Sequence, residues 1–315
     1  MGAIGGERQS GERPATGTVG TPPAEVDVTV ELVRGLLAEQ HPDLAERDLA
    51  IVANGWDNVI VRVGTDLVAR LPRRELAAAL VAHEQRWLPA LATHLPIPVP
   101  VPLRVGVPGL GYPWAWSICD WFQGEVAADV PLADPAREAD RLGAFVHALH
   151  RPAPVEAPRN PFRGQPVTGL VPRIRANLAR LHLERTALDA LVDELAKTSP
   201  WRGPAKWLHG DLHSANLLVD GGEIVAVLDF GDLTSGDPAV DLAVAWMLFQ
   251  PEERRRFRSA AGGGTPVDEP TWDRARLWGL HFALIYVRHS YGNERFARMG
   301  ERLLRAVTAG DTGGD

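Results

Sequence analysis

The chain has little sulfur and no candidate for a covalent staple. Its one cysteine, Cys119, has no partner for an internal disulfide, which suits a reducing compartment. It lies in "WAWSICDWF" without a basic neighbour, so it reads as a small buried hydrophobe and not as an activated thiolate. No apolar run is long enough to cross a bilayer, and the opening "MGAIGGERQSGERPATGTVGTPP" lacks the apolar core of a signal peptide. Residues 1–24 are expected to be a disordered tail and the protein cytoplasmic. A basic excess is missing too: 40 Asp and Glu stand against 33 Lys and Arg, a net charge of -7, so neither nucleic acid nor an anionic membrane is the expected partner. Internal repeats are absent. What remains is a chain of 315 residues, long enough for one large domain or two lobes with a shared interface.

The periodicity divides that length. "VDVTVELVRGLLAEQHP" has helical spacing, then "LAIVAN", "NVIVRVG" and "DLVARLP" are short β-branched segments split by "GWD" and "GTD", the pattern of an antiparallel meander. "ELAAALVAHEQRWLPALATHL" is a long helix, and "YPWAWSICDWF" suits a further strand. Beyond Gly124 helices dominate. In "READRLGAFVHALH", Leu142, Phe145, Val146 and Leu149 fall at i, i+3, i+4 and i+7 behind Asp134 as an N-cap. The fold class is therefore α+β. A strand-rich lobe over residues 25–121 precedes a larger helical lobe over 122–315, and "WFQGE" is the expected hinge.

The densest chemistry lies in "WLHGDLHSANLLVDGGEIVAVLDFGD". His209, Asp211 and His213 alternate along an extended stretch, so they share a face and are candidate zinc ligands of a hydrolase. The continuation points elsewhere. "LLVDGGEIVAVLDF" alternates and turns at "DGG", and such a hairpin returns Asp229 to the side of Asn216. An amide oxygen and a carboxylate are hard donors suited to Mg²⁺, which takes its remaining oxygens from water and phosphates.

"HGDLHSAN" followed by "LDFGD" resembles the catalytic and metal loops of the aminoglycoside phosphotransferase family, small-molecule relatives of the protein kinases. The resemblance covers about residues 25–300. It implies a protein-kinase-like two-lobed fold, an ATP-dependent O-phosphotransferase with GTP as the alternative donor, and Mg²⁺ as cofactor. Carried over residue by residue, it makes Asp211 the catalytic group and Asn216 and Asp229 the metal ligands. Gly55 becomes the turn over the phosphates, Arg70 the basic residue of the third strand, and Glu84 its partner in the following helix. Val68 would lie over adenine, with Trp121 and Phe122 flanking it at the hinge. His209 is expected to brace the loop. His213 either touches the γ-phosphate or faces solvent, and Asp232 faces substrate or metal. Asp237 is expected as a cap and Asp241 as an anchor for the loop's amides.

The pattern also departs from the protein kinases, with one glycine where those carry three and Arg70 where they have lysine. Members similar to the macrolide phosphotransferases also use arginine here. Arg73 and Arg74 rival Arg70, and Glu75 rivals Glu84, until the strand register is known. Trp278, Phe282 and Tyr286 recur every fourth residue, as core or as the floor of an acceptor pocket. The acceptor is expected to be a hydroxylated small molecule. It is an aminoglycoside or another antibiotic, or else an amino sugar or amino alcohol of metabolism, and the acid-rich run Asp229, Asp232, Asp237 and Asp241 favours a cation. A nucleotide-binding module without turnover is the remaining alternative. Monomer and dimer are equally open.

Overall fold

Alternating Val59, Val61 and Val63 decide the first sheet, because a strand with one buried face needs an element to cover it. In the computed structural model, which describes residues 23–181, 184–288, 290 and 293–310, that cover is helix α1 (Val30–Gln40). Residues 1–22 of the expected tail lie outside the described residues. Thr29 caps α1 by accepting from Leu32 N–H at 3.2 Å. Strands β1 (Leu49–Asn54), β2 (Asn58–Val63) and β3 (Leu67–Pro72) form the expected meander, with Val61 opposite both Ile51 and Ala69. Helix α2 (Glu75–Ala92) follows, then β4 (Arg104–Gly106) and β5 (Trp116–Asp120), giving an antiparallel sheet in the order β1-β2-β3-β5-β4.

The register of β3 sorts the candidate residues. Ala69 and Leu71 join Val33, Leu36 and Leu37 in the core under α1. Alternation turns Val68 and Arg70 to the opposite face, toward α2.

The rest of the chain is mainly helical. After β6 (Glu125–Val126) come α3 (Pro135–Leu149), α4 (Val167–Leu178) and α5 (Thr186–Leu195). Asp134 caps α3 as expected, accepting from Arg137 N–H at 3.0 Å. Strands β7 (Lys206–Leu208), β8 (Leu217–Asp220), β9 (Glu223–Val227) and β10 (Thr234–Gly236) make two small antiparallel sheets, β6-β8-β9 and β7-β10. Helices α6 (Ala239–Leu242), α7 (Val244–Leu248), α8 (Pro251–Ala261), α9 (Glu269–Arg288) and α10 (Glu294–Ala309) complete it. Its core runs from Phe145 and Val146 through Trp246 and Phe257 to Trp278 and Phe282, and Leu88 and Leu91 of α2 join it. Close approach of α3 and α8 depends on Gly143, where a Cβ would sit 2.6 Å from Ala260 Cβ. Among the described residues no helix is long and apolar enough to cross a membrane.

Candidate active site

Three local devices place the functional side chains. The first is the β8–β9 hairpin. Gly221 (φ 57°) and Gly222 (φ 83°) occupy its two turn positions, which need positive φ to follow the twist of the strands. With Leu217 paired to Val227, Leu228 N–H donates to Asn216 O at 2.8 Å, and the next residue is Asp229. The expected return of Asp229 to the side of Asn216 thus has a register behind it. Asp229 itself is left-handed (φ 60°), a conformation that costs a side-chain-bearing residue about 1 kcal/mol and that Asp tolerates better than most. Its carboxylate is 57 % exposed, with Gly231 N–H at 3.4 Å and the Arg70 guanidinium at 3.7 Å.

The second device holds the loop between β7 and β8. Buried Asp241 accepts from His209 N–H at 2.8 Å and from Gly210 N–H at 2.9 Å, and His150 Nε2 lies 3.1 Å from it. This is the anchoring expected of Asp241. His209 is fully buried with both ring nitrogens used: Nε2–H donates to Leu228 O at 2.9 Å and Nδ1 accepts from Asp211 N–H at 3.2 Å. It therefore ties the loop to the strand leading to Asp229. No ring nitrogen is left for zinc, and the hydrolase reading loses one of its three ligands. Among the described residues no group of three or more His, Cys, Asp or Glu has a metal-holding arrangement. Asp237, expected as the N-cap, stands one residue before the cap position of α6, which is Pro238; it accepts from Ala239 N–H at 3.1 Å and forms a buried ion pair with Arg274 at 2.7 Å.

The third device is the pair Arg70 and Glu84, 7 % and 1 % exposed, joined through both terminal nitrogens of the guanidinium, Nη2 at 3.0 Å. Burial, the largest influence, opposes the Arg70 charge, but Glu84, Cys119 and Asp229 together outweigh it and raise the guanidinium pKa. The rivals go elsewhere. Arg73 donates to Gly55 O at 2.9 Å and so braces the β1–β2 turn, Arg74 pairs with Asp57, and Glu75 is exposed at the start of α2.

Between sheet and hairpin lies a cavity of about 310 Å³. Gly55, Val68, Arg70, Trp121, Phe122, Asn216 and Asp229 all line it. Ile60 and Val68 from the sheet and Leu218 and Leu228 from the hairpin give it an apolar slot, while Arg70, Asn216 and Asp229 give it a polar end. Glu84 stands behind Arg70 and does not line it. Asn216 Nδ2 donates to Asp211 O at 3.0 Å, which commits the amide nitrogen to the loop and leaves its oxygen as a donor atom. With the exposed Asp229 carboxylate, this hard-oxygen pair fits Mg²⁺.

Asp211 lies at the other end of the loop, between Arg163 and His213. Arg163 Nη2 donates to Oδ1 at 2.8 Å, and His213 Nε2 is 3.4 Å from Oδ2. Burial works to raise its pKa, yet Arg163 and His213 together hold the carboxyl well below the usual range, so Asp211 is ionised. His213 is 6 % exposed, with its Nδ1 accepting from Ala215 N–H and its ring edge-on to Tyr286 at 5.8 Å, so the solvent-facing alternative is corrected: the aromatic stripe covers it. In that stripe Phe282 and Tyr286 stack at 6.0 Å, and Arg163 lies 5.2 Å over Phe282. Asp232 accepts from Arg163 Nε at 3.1 Å and from Asn160 Nδ2 at 2.7 Å. Its pKa is raised by burial against the pull of Arg163, with Asp211 and Asp229 adding to the rise. The thiol of Cys119, a buried residue of β5, is pushed up to about 12 by burial, which leaves it inert.

Arg163 and Asn160 were missed by sequence reasoning. They sit in "RNPFRGQP", a proline-rich loop without periodicity, 48 residues from Asp211. The loop is held by Asn160 N–H donating to Thr234 Oγ1 at 2.8 Å and by Asp237 N–H donating to Gly164 O at 3.1 Å, contacts with no local signature.

The profile of the phosphotransferase enzyme family (APH) matches residues 48–278, more than half of the chain and the span from the first sheet to the stripe. The chain belongs to the aminoglycoside phosphotransferase family. No curated protein matches this family member in sequence. Solved structures do match it in fold. The GDP complex of wild-type aminoglycoside 2'-phosphotransferase-IIIa has 18% identity and a TM-score of 0.64, covering 88% of this chain and 97% of its own. The macrolide 2'-phosphotransferase MphH from Brachybacterium faecium has 22% identity and a TM-score of 0.60, covering 88% and 98%. A GDP and kanamycin complex of an APH(2") enzyme has 19% identity and a TM-score of 0.65, covering 88% and 98%. The protein-kinase-like α+β fold expected from the motifs is thereby shown.

Proposed function

We propose that the chain transfers the γ-phosphoryl group of ATP, or of GTP, to a hydroxyl of a small molecule. The observation that carries this reading is the single cavity in which Arg70, Asn216 and Asp229 meet, one loop away from an ionised Asp211. The apolar slot suits a purine between Val68 and Leu228, with Trp121 and Phe122 at its mouth and the Gly55 turn above the phosphates. Arg70, held by Glu84, offers a two-point donor to phosphate oxygens. A Mg²⁺ ion held by Asn216 and Asp229 would neutralise charge on the β- and γ-phosphates. The boundary between lobes is assigned to residues 121 and 122, with the hinge in the segment after β5.

Asp211 orients the acceptor hydroxyl toward the γ-phosphorus. As the new O–P bond forms and the bond to the nucleoside diphosphate breaks, the hydroxyl proton passes to Asp211 and on to solvent. A carboxylate with a depressed pKa is a weak base, so its contribution is mainly orientation, which matches the small demand for base catalysis in a loose phosphoryl transfer. His209 and Asp241 keep the loop in register, and His213 lies beside the carboxylate on the side away from Arg163.

Acceptors to try first are aminoglycosides and macrolides, the compounds in the names of the similar structures, which include kanamycin, gentamicin and streptomycin complexes. Hydroxylated metabolites are the alternative. The site of action is assigned to the cytoplasm. The test is a panel of hydroxylated antibiotics and metabolites screened for ADP release, with the phosphorylated product identified by mass. Transfer lost in Asp211→Ala but retaining nucleotide binding supports the reading, and wild-type turnover by that variant overturns it.

A further inference from the structure

A second cavity, of about 460 Å³, opens between α4 and α9 and reaches Arg163 and Asp232. Its charge is opposite to that of the chain as a whole. Arg173 and Asn177 lie one turn apart in α4 and so share a face, and Arg288, in the last turn of α9, donates from Nη1 to Asn177 Oδ1 at 2.8 Å. That bond leaves the Asn177 amide hydrogens as further donors. Arg173 lies 5.4 Å over the Phe162 ring and donates to Pro161 O at 3.2 Å. Among the described residues neither Arg173 nor Arg288 has a carboxylate partner. Arg163 differs, because Asp211 and Asp232 both answer its charge. Among the described residues Asp232 is the one acidic residue of the lining. His281, 5 % exposed, has no partner for Nδ1 among the described residues, and its pKa is pushed down to about 3 by burial and by the neighbouring Arg163 and Arg173. It is therefore a neutral hydrogen-bonding group in a wall of cations. A polyamine would meet guanidinium groups here and, among the described residues, a single carboxylate, Asp232, already held by Arg163 and Asn160. An oxyanion would meet two forked donors and an amide.

We propose that the acceptor is a hydroxylated acid, which turns its hydroxyl toward Asp211 and its carboxylate or phosphate toward Arg173 and Arg288. This rests on the phosphotransferase reading and departs from the cationic acceptor that the acidic composition favoured, because charge summed over a chain is not the charge lining one cavity.

The experiment is titration calorimetry of the full chain loaded with Mg²⁺ and a non-hydrolysable ATP analogue, using glucose, glucosamine, glucuronate and glucose 6-phosphate as matched probes. At least one acid is expected to bind ten times more tightly than glucose, with glucosamine weakest. The better of the two acids identifies the oxyanion as carboxylate or phosphate. In R173Q/R288Q, checked for folding by thermal melting, the advantage over glucose is expected to fall below twofold. The proposal is overturned if glucosamine binds most tightly, if neither acid exceeds glucose in the wild-type protein, or if a folded R173Q/R288Q keeps the acid preference. The wild-type ranking decides even where the variant does not fold. Binding of the ATP analogue in the same titrations is read separately. Its absence would count against the phosphotransferase reading, and its presence with no acid preference would sink only the acceptor proposal.

Discussion

The cavity beside the β8–β9 hairpin and the one between α4 and α9 differ in how their charges are handled. On the sheet side, Arg70 is buried against Glu84 and the carboxylate of Asp229 stands open, so the cavity presents a fixed cation and free oxygens in an apolar slot. On the α4–α9 side, the carboxylates Asp211 and Asp232 are bound by Arg163, and Arg173 and Arg288 have no acidic partner among the described residues. The first arrangement suits a triphosphate with its divalent cation, and the second suits a molecule that brings its own negative charge. Arg163, which lines the second cavity, is the junction of that cavity with Asp211, the residue that would orient the acceptor.

The largest expected effect comes from removing that residue. Asp211→Ala should lower kcat by ~10³-fold, within the range for a positioned acid or base, while nucleotide affinity measured by calorimetry changes less than twofold. Equal losses in both would merge two functions that the cavities keep apart. Asp229→Ala attacks the sheet side alone: Mg²⁺-dependent nucleotide binding should weaken by roughly 10- to 100-fold, as for loss of a metal-site residue, with acceptor affinity unchanged.

Glu84→Ala strands the buried Arg70 charge. Breaking such a pair from one side costs about 3 kcal/mol or more, so chemical denaturation should register a clear loss of stability together with weaker nucleotide binding. Arg163→Met tests the junction. The Asp211 pKa lies below the usual carboxylate range in the folded protein, so the stability from its ion pairs is present above that range and is lost as pH falls through the depressed value. Without Arg163 the carboxyl should titrate higher, moving the acid limb of the kcat profile upward, and kcat should fall by about tenfold. An unmoved acid limb would mean that His213 alone sets the pKa. The smallest effect is expected from Arg73→Gln, which loosens the bond to Gly55 O and should raise the ATP KM only a few-fold, about 1 kcal/mol for one hydrogen bond from a charged donor.

Much of the sheet side was readable from the letters because its signals are local. A two-residue period assigns Val68 and Arg70 to one face, and a Gly-Gly turn with a fixed register returns Asp229 to Asn216. Helix α2 was readable because its Ala- and Leu-rich helical spacing continues on both sides of Pro89, whose missing N–H removes one i→i−4 bond. The choice between Arg70 and Arg73 needed the register, since both lie within four residues and only side-chain direction separates them. His213 illustrates the opposite case: nothing in "DLHSAN" tells that Tyr286 and Phe296 cover it.

By itself, the sequence determined the three-strand meander and the helix after it, the Gly-Gly hairpin turn and the identity of the motif residues, because these depend on periodicity and backbone preference within a few residues. Only the tertiary structure decided that Arg163 binds Asp211 and Asp232, that both nitrogens of His209 are consumed by the backbone, and that the α4–α9 cavity is lined with arginines. Those are contacts between segments far apart in the chain, and their energies depend on burial and on which opposite charge stands nearest. Neither quantity exists until the chain has folded.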